Sequence, residues 1–288
     1  MKNGIKAVVI FHSPCTDGFT SAWIMHRFSS FNCEFVPASH GKPLPKIDYT
    51  GKLVYVLDFW LDYETLRDIA AVAEYVYVFD HHKTALEDYQ SSSDFQTGLP
   101  NVEIVLDMGR SGAAITWDEL VGDERPAFVD YVSDHDLFQH KLPESVEISA
   151  AVQTYEFDFD TWDKLAAKAP VILSDEGRNI LRINKHVALA AAKSSYPRQV
   201  IVDGLIARAQ VANVGYPIAQ DVLTFLREES GADLAIGFTK NPDGGWKLSA
   251  RSNEHSPVTA RMFCEKFGGG GHEHASGANV VELPAELL

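Results

Sequence analysis

The chain of 288 residues carries 25 Lys and Arg against 40 Asp and Glu, a formal net charge of −15. That length allows two domains with sizeable cores, and the acidity argues against a broad surface that tracks nucleic-acid phosphates with many Lys and Arg. No apolar stretch approaches the ~18 residues that span a membrane; three widely spaced cysteines make no disulfide framework, and Met1-Lys2-Asn3-Gly4 runs straight into a strand without signal-peptide architecture, so the expected location is a reducing cytoplasm.

The first strand is read at Lys6–Phe11. It ends in His12 and passes into Ser13-Pro14-Cys15-Thr16-Asp17-Gly18, after which Thr20–Phe28 has apolar residues at helical spacing. Strands near Glu34–Val36 and over Leu53–Leu57 follow, the latter delivering Asp58 and then Phe59-Trp60-Leu61. A helix around Tyr63–Ala73 precedes the β-branched and aromatic run Tyr75–Phe79, which reads as a buried strand and ends in Asp80-His81-His82. Residues 87–101 are polar and punctuated by Gly and Pro, which predicts a surface loop; Val102–Leu106 is a further strand, and a helix runs from Ser111 through Trp117. This alternation implies a parallel sheet with helices on its faces, an α/β, doubly wound N-terminal domain over residues 1–150. The apolar stretch Ala127–Val132 leads into Ser133-Asp134-His135-Asp136. From about 158 to 194 the pattern predicts one long helix ending before Tyr196-Pro197, within a mainly helical connector over 151–195. A smaller C-terminal α/β domain, 196–288, opens with strands Gln199–Val202 and Ala207–Val211. It continues with helix Ile218–Arg227 behind Pro217, strand Leu234–Phe238, the turn Asn241-Pro242-Asp243-Gly244-Gly245, strand Trp246–Arg251 and a helix bracketed by Pro257 and Gly268.

Four separated segments thus deliver a His or Asp just past a hydrophobic stretch. In a parallel sheet such ends lie side by side on one edge, where open α/β sheets bind ligands, and metal-capable side chains are costly to bury there without partners. His12, Asp17, Asp58, His81 and Asp134 are therefore a candidate metal cluster. Its mixed imidazole and carboxylate donors suit one or two Mn²⁺ ions, with Mg²⁺, Co²⁺, Fe²⁺ or Zn²⁺ as alternatives. Each residue also has a plainer reading: Asp17 and Asp58 as caps or turn residues, a His as hydrogen-bonded core, Cys15 as a small buried hydrophobe, His135 and Asp136 as a solvated turn.

Asp80-His81-His82 does not stand alone. Far along the chain come Ser249-Ala250-Arg251-Ser252, then Gly268-Gly269-Gly270-Gly271-His272 and Ala275-Ser276-Gly277. Together these motifs resemble the DHH phosphoesterase superfamily with its DHH-associated C-terminal domain. The resemblance implies metal ligation by His12, Asp17, Asp58, His81 and Asp134, with Asp58 bridging two ions. It implies that Asp80 orients a neighbouring His and that His82 faces the substrate phosphoryl group as hydrogen-bond donor or general acid. It also makes Gly269, Gly270, Gly271 and His272 a substrate-binding loop facing the metals across an interdomain cleft, with Arg251 reaching from the same side. Cys15 departs from the pattern, since family members usually carry a further Asp there; a thiolate binds Zn²⁺ or Fe²⁺ better than Mn²⁺, and Cys15 is counted as a candidate ligand. Separately, Asp107-Met108-Gly109-Arg110-Ser111-Gly112 precedes a helix, where backbone N–H groups bind anions and Arg110 can add a bidentate phosphate contact. A capped helix with a surface Arg is the equal alternative.

The function expected is that of a metal-dependent phosphoesterase acting with metal-activated water on a small phosphorylated substrate: a dinucleotide, short oligonucleotide or nucleotide phosphate. A RecJ-like single-strand exonuclease needs a basic groove and stacking aromatics, which the charge argues against. A pyrophosphatase of the same superfamily carries a different second domain. A non-catalytic nucleotide-binding protein with an altered metal site is kept open by Cys15. No membrane association is expected, long nucleic acid is disfavoured by charge, and a homodimer is left open.

Overall fold

The computed structural model describes residues 4, 6–168, 170–215, 218–242 and 244–288. Met1-Lys2-Asn3, Pro217 and the turn residue Asp243 lie outside these, so the expectations placed on them stand as sequence readings. The chain divides into two compact units, Met1–Arg178 and Asn179–Leu288.

The first unit runs β1 (Lys6–His12), α1 (Thr16–Phe28), β2 (Asn32–Ala38), β3 (Leu53–Leu57), α2 (Tyr63–Ala70), β4 (Tyr75–Asp80), α3 (Lys83–Ser91), α4 (Ser93–Thr97), β5 (Val102–Leu106), α5 (Gly112–Leu120), α6 (Ala127–Asp136), α7 (Ser145–Val152) and α8 (Phe159–Ala167). A further helix, α9 (Pro170–Lys193), crosses into the second unit. The strands form one sheet in the order β2-β1-β3-β4-β5, all parallel. Parallel strands are covered on both faces and so read as unbroken apolar runs; Val8, Val9, Ile10, Val54, Val56 and Val76 are fully buried. The chain leaves β1 for β2 on one side and returns for β3 on the other. Ligands gather at such a switch point, beyond the carboxyl ends of the strands, and there β1 ends in His12 and β3 in Asp58.

Three stretches differ from their sequence reading, each for a packing reason. Residues 87–101, expected as a loop, hold most of α3 and all of α4. Ser92 caps α4 by accepting the Phe95 N–H, and Phe95 is buried against Trp60 and Tyr63. Ala127–Val132 is not a strand but most of α6, opened by Pro126, with Phe128, Val129 and Val132 buried at helical spacing. The long helix expected over 158–194 is two helices. α8 ends with Lys168 extended, and Pro170 opens α9, since a proline disfavours helical backbone in the residue before it. α8 belongs to the first unit through Trp162, fully buried, whose Nε1 donates to Thr20 Oγ1 at 3.0 Å.

The second unit holds β6 (Tyr196–Val202), β7 (Leu205–Asn213), α10 (Ala219–Glu229), β8 (Leu234–Lys240), β9 (Trp246–Ser252), α11 (Ala260–Glu265), β10 (Gly270–His272) and β11 (Ala275–Val280). Its mixed sheet has the order β10-β11-β9-β8-β7-β6, antiparallel except between β7 and β8. Pro197 sits on the edge strand, where a missing N–H is tolerated. The glycine run is partly strand: a Cβ on Gly269 would lie 2.2 Å from the Gly277 carbonyl oxygen, so glycine there lets two backbones touch. Among the described residues no helix is long and apolar enough to cross a membrane.

Candidate metal centre

Four strand ends and three helix ends place the site. His12 closes β1, and Asp17 lies in the first turn of α1. The Asp17 carboxylate is not spent on capping its own helix. It accepts the N–H groups of Gly112 at 2.6 Å and Ala113 at 3.0 Å, at the start of α5. Asp58 follows β3 with φ at 54°, a left-handed conformation uncommon outside glycine, and its N–H donates to the Phe79 carbonyl at 2.8 Å. Asp80, the last residue of β4, accepts at one oxygen from the His81 N–H at 2.8 Å, the His82 N–H at 3.3 Å and His82 Nδ1 at 2.7 Å. The carboxylate can only accept, so His82 carries its proton on Nδ1 and leaves Nε2 for other use.

These residues converge on Asp58. His81 Nε2 lies 3.2 Å from Asp58 Oδ1, 3.2 Å from Asp136 Oδ2 and 3.9 Å from Asp17 Oδ2. His12 Nδ1 lies 3.4 Å from the other Asp58 oxygen, and His82 Nδ1 3.8 Å from Oδ1. Two donor groups result, Asp17–Asp58–His81 and His12–Asp58–His82, each with its ligand atoms within 4.8 Å of one another. Asp58 belongs to both, as a carboxylate bridging two ions must.

Burial makes the arrangement expensive without a cation. Asp17, Asp58 and Asp80 are 1%, 1% and 0% exposed. Both Asp58 carboxylate oxygens, His12 Nδ1 and the second Asp80 oxygen are buried without a hydrogen-bond partner among the described residues, where an unsatisfied polar group is costly. Burial pushes the Asp17 carboxyl well up, and the charges of Asp58 and Asp136 add to it; burial and then Asp58 raise Asp136 likewise. Burial also opposes ionisation of Asp58, but His12 and His81 overcome it and hold the carboxyl at about 2. His81 is the counterpart: against burial, Asp58, Asp17 and Asp136 push it up to about 9. Orphaned acceptors, crowded carboxylates and mixed oxygen and nitrogen donors are what a divalent cation relieves, so the residues fit a metal.

The structure brings His12, Asp17, Asp58, His81 and His82 together with Asp80 beneath them. It does not bring Asp134. That carboxylate accepts the N–H groups of Lys141 at 2.9 Å and Leu142 at 3.3 Å, and Asp136 is the α6 residue that meets His81. The α6 helix explains the exchange, because residues two apart leave a helix in different directions. Cys15 precedes α1 and is partly buried; burial, reinforced by Asp58 and Asp17, pushes its thiol far up, which keeps it neutral. Arg110 is committed to the chain's own acids, with Nε 2.7 Å from Asp107 and one terminal nitrogen 3.0 Å from Asp118 and 3.4 Å from Glu119. Ser111 caps α5 by accepting the Ala114 N–H. The anion at that helix start is therefore Asp17, not a ligand from solvent. In the second unit Arg251 is half-buried, and among the described residues no carboxylate pairs with it; burial, with Arg227 beside it, lowers its pKa. Gly270, Gly271 and His272 form the exposed edge strand β10 with Gly269 just before it.

Two site residues escape the sequence reading. Asp136 is one, since its motif reads equally as a solvated turn. The other is His40, which stacks on Phe59 with ring centroids 4.7 Å apart and lies 5.1 Å from the His12 ring and 6.1 Å from that of His82. Its only signal is its place just past β2, beside β1. Burial, then His12 and His82, lower its pKa.

No family model matches the chain. The uncharacterized protein R106 of Acanthamoeba polyphaga mimivirus is 26% identical over 300 residues, an alignment covering 94% of this chain and 66% of that protein, so the chain spans just under two thirds of that relative's length. Among solved structures, the pGpG-specific phosphodiesterase PggH from Vibrio cholerae is similar over 96% of this chain and 93% of its own, with a TM-score of 0.50 and 12% identity. RecJ from Thermus thermophilus, solved in complex with Mn²⁺, is similar over 96% of this chain and 50% of its own, with a TM-score of 0.50 and 13% identity. These likenesses show the fold, and the α/β architecture expected from the sequence holds: a parallel N-terminal sheet followed by a smaller domain with a mixed sheet.

Proposed function

We propose that this chain is a metal-dependent phosphoesterase that hydrolyses phosphodiester or phosphomonoester bonds of small nucleotides or short oligonucleotides with metal-activated water. The observation that carries the reading is Asp58: buried, shared by two donor groups, and with no hydrogen-bond partner on either oxygen among the described residues. Asp17, Asp58, His81 and Asp136 would hold one ion, and His12 with Asp58 a second; a bound pair would lower the pKa of water there towards neutrality and offset phosphoryl charge. The fold shared with a pGpG-specific phosphodiesterase and with a Mn²⁺-bound RecJ is consistent with that chemistry.

The chain's own residues divide the remaining work. Asp80 fixes the His82 ring through Nδ1 and, by that hydrogen bond, raises its pKa, so that the protonated ring can turn Nε2–H to the phosphoryl group or the leaving oxygen. Gly112 and Ala113 hold Asp17 in place by two backbone N–H bonds.

The test is a panel of a cyclic dinucleotide, a linear dinucleotide, a 3′,5′-bisphosphate and polyphosphate, incubated with the purified chain and Mn²⁺. Hydrolysis of a nucleotide substrate is expected, abolished in Asp58→Ala and His81→Ala. Tight nucleotide binding without turnover in Mn²⁺, Mg²⁺, Co²⁺, Fe²⁺ or Zn²⁺ would overturn the reading in favour of a binding protein.

A further inference from the structure

Just beyond the metal centre the chain displays an aromatic ring that its core does not use. α6 ends at Asp136, whose carboxylate faces His81, and the following residues turn outward. Phe138 is 75% exposed. Its φ is 51°, and His140 repeats the left-handed backbone at 47°, a conformation that bulky residues avoid. Backbone strain and an apolar ring left in water are two costs at one place, and such strain persists only where its surroundings enforce it.

The surroundings do enforce it. The Asp134 main-chain oxygen accepts the N–H groups of Gln139 at 3.0 Å and His140 at 3.4 Å, and the His135 oxygen accepts that of Phe138 at 2.9 Å. The Asp134 carboxylate takes the next two N–H groups, Lys141 and Leu142. One buried aspartate therefore pins the loop from residue 139 to residue 142. The ring it presents stands beside a pair of imidazoles: the centroids of His135 and His140 lie 5.4 Å apart, and each lies 6.2 Å from that of Phe138. Gln153 Nε2 lies 3.3 Å from His135 Nε2 and steadies that ring in turn.

We propose that Phe138, braced by His135 and His140, is a stacking platform for a nucleobase of the substrate whose phosphate meets the metal centre. The proposal rests on the phosphoesterase reading above and sharpens its substrate class to base-bearing nucleotides. Every base has a π-face, so an exposed, rigid aromatic ring binds bases without demanding a sequence. The position is apt as well: only Leu137 separates Phe138 from Asp136, so their Cα atoms lie at most about 7 Å apart.

The test uses a linear dinucleotide carrying 2-aminopurine, whose fluorescence falls when the base stacks, titrated into the full chain with Mn²⁺ while hydrolysis is followed in the same samples. Phe138 lies outside the core, so Phe138→Ala keeps its melting temperature. That variant is expected to lose the quenching and to raise both Kd and KM by roughly tenfold or more, with kcat little changed. Phe138→Trp should restore quenching and KM. A matched dinucleotide with an abasic site in place of the 2-aminopurine nucleotide should not distinguish wild type from Phe138→Ala. Equal binding by wild type and Phe138→Ala, no quenching in wild type, or an equal loss on the abasic substrate would overturn the platform. Quenching that depends on Phe138 without hydrolysis would leave the platform standing and remove the phosphoesterase reading beneath it.

Discussion

At the scale of single residues, the candidate metal centre is built by close approach as much as by its donors. A Cβ on Gly112 would lie 2.6 Å from the Asp58 Cβ and 2.9 Å from Asp17 Oδ2, so only glycine lets α5 begin against both acids. Gly112→Ala should destabilise the protein by roughly 1–3 kcal/mol through overpacking and weaken Mn²⁺ binding, seen in denaturant unfolding with and without the metal. Wild-type stability and affinity would show that the approach has slack. Asp136 carries the opposite kind of cost. Burial and the Asp58 charge raise its carboxyl in the folded state. A folded pKa above the unfolded value means that ionisation costs stability; the penalty is absent below the unfolded pKa of about 4 and complete once pH passes the folded value. Asp136→Asn should therefore raise the melting temperature of chelator-treated protein at a pH above that folded value, by roughly 2–4 °C for each kcal/mol relieved, while shrinking the increase that Mn²⁺ produces. A lower melting temperature in chelator would mean that the His81 contact outweighs the crowding.

At the scale of elements, what the sequence reveals follows its periodicities. The inner strands of the first sheet, β1, β3 and β4, are legible because buried parallel strands are continuous apolar runs, and Asp58 and Asp80-His81-His82 are legible because polar side chains directly follow such runs. α6 misleads for the same reason: Phe128, Val129 and Val132 form an apolar patch whose helical spacing shows only over a longer window, and the strand reading singles out Asp134 in place of Asp136. The helix break near Pro170 is within reach of the proline rule. The pairing of Arg110 with Asp107 and Asp118 is not, because the partners of a side chain depend on packing that no local pattern encodes. The two α6 acids now make a direct contrast. Asp134→Ala leaves the N–H groups of Lys141 and Leu142 without their acceptor and should cost roughly 1–3 kcal/mol, yet leave Mn²⁺ affinity near wild type. Asp136→Ala should lower that affinity by an order of magnitude or more. Calorimetric titration of Mn²⁺ into both variants checks this, and a larger loss of affinity in Asp134→Ala would return the ligand role to Asp134.

At the scale of the whole molecule, charge is divided as sharply as the fold. Residues 179–288 contain eleven Lys and Arg and eleven Asp and Glu, so the net charge of −15 resides in residues 1–178, the unit that holds the candidate metal centre. Two bound divalent ions would offset only part of that, and only locally. A small anion feels mostly the ions it touches, whereas a long polyanion must also lie along acidic surface. Because the Debye length grows from about 10 Å at 0.1 M salt to about 30 Å at 0.01 M, that repulsion should emerge as salt is removed. On a series from two to about ten nucleotides, kcat/KM should fall with length, and the fall should steepen at low ionic strength. A polynucleotide-tracking surface has the opposite signature, with binding strengthened by lowering salt in proportion to the phosphates neutralised. A rise in kcat/KM with length that grows as salt is lowered would therefore identify a basic path along the surface and assign the substrate to single-stranded polymer.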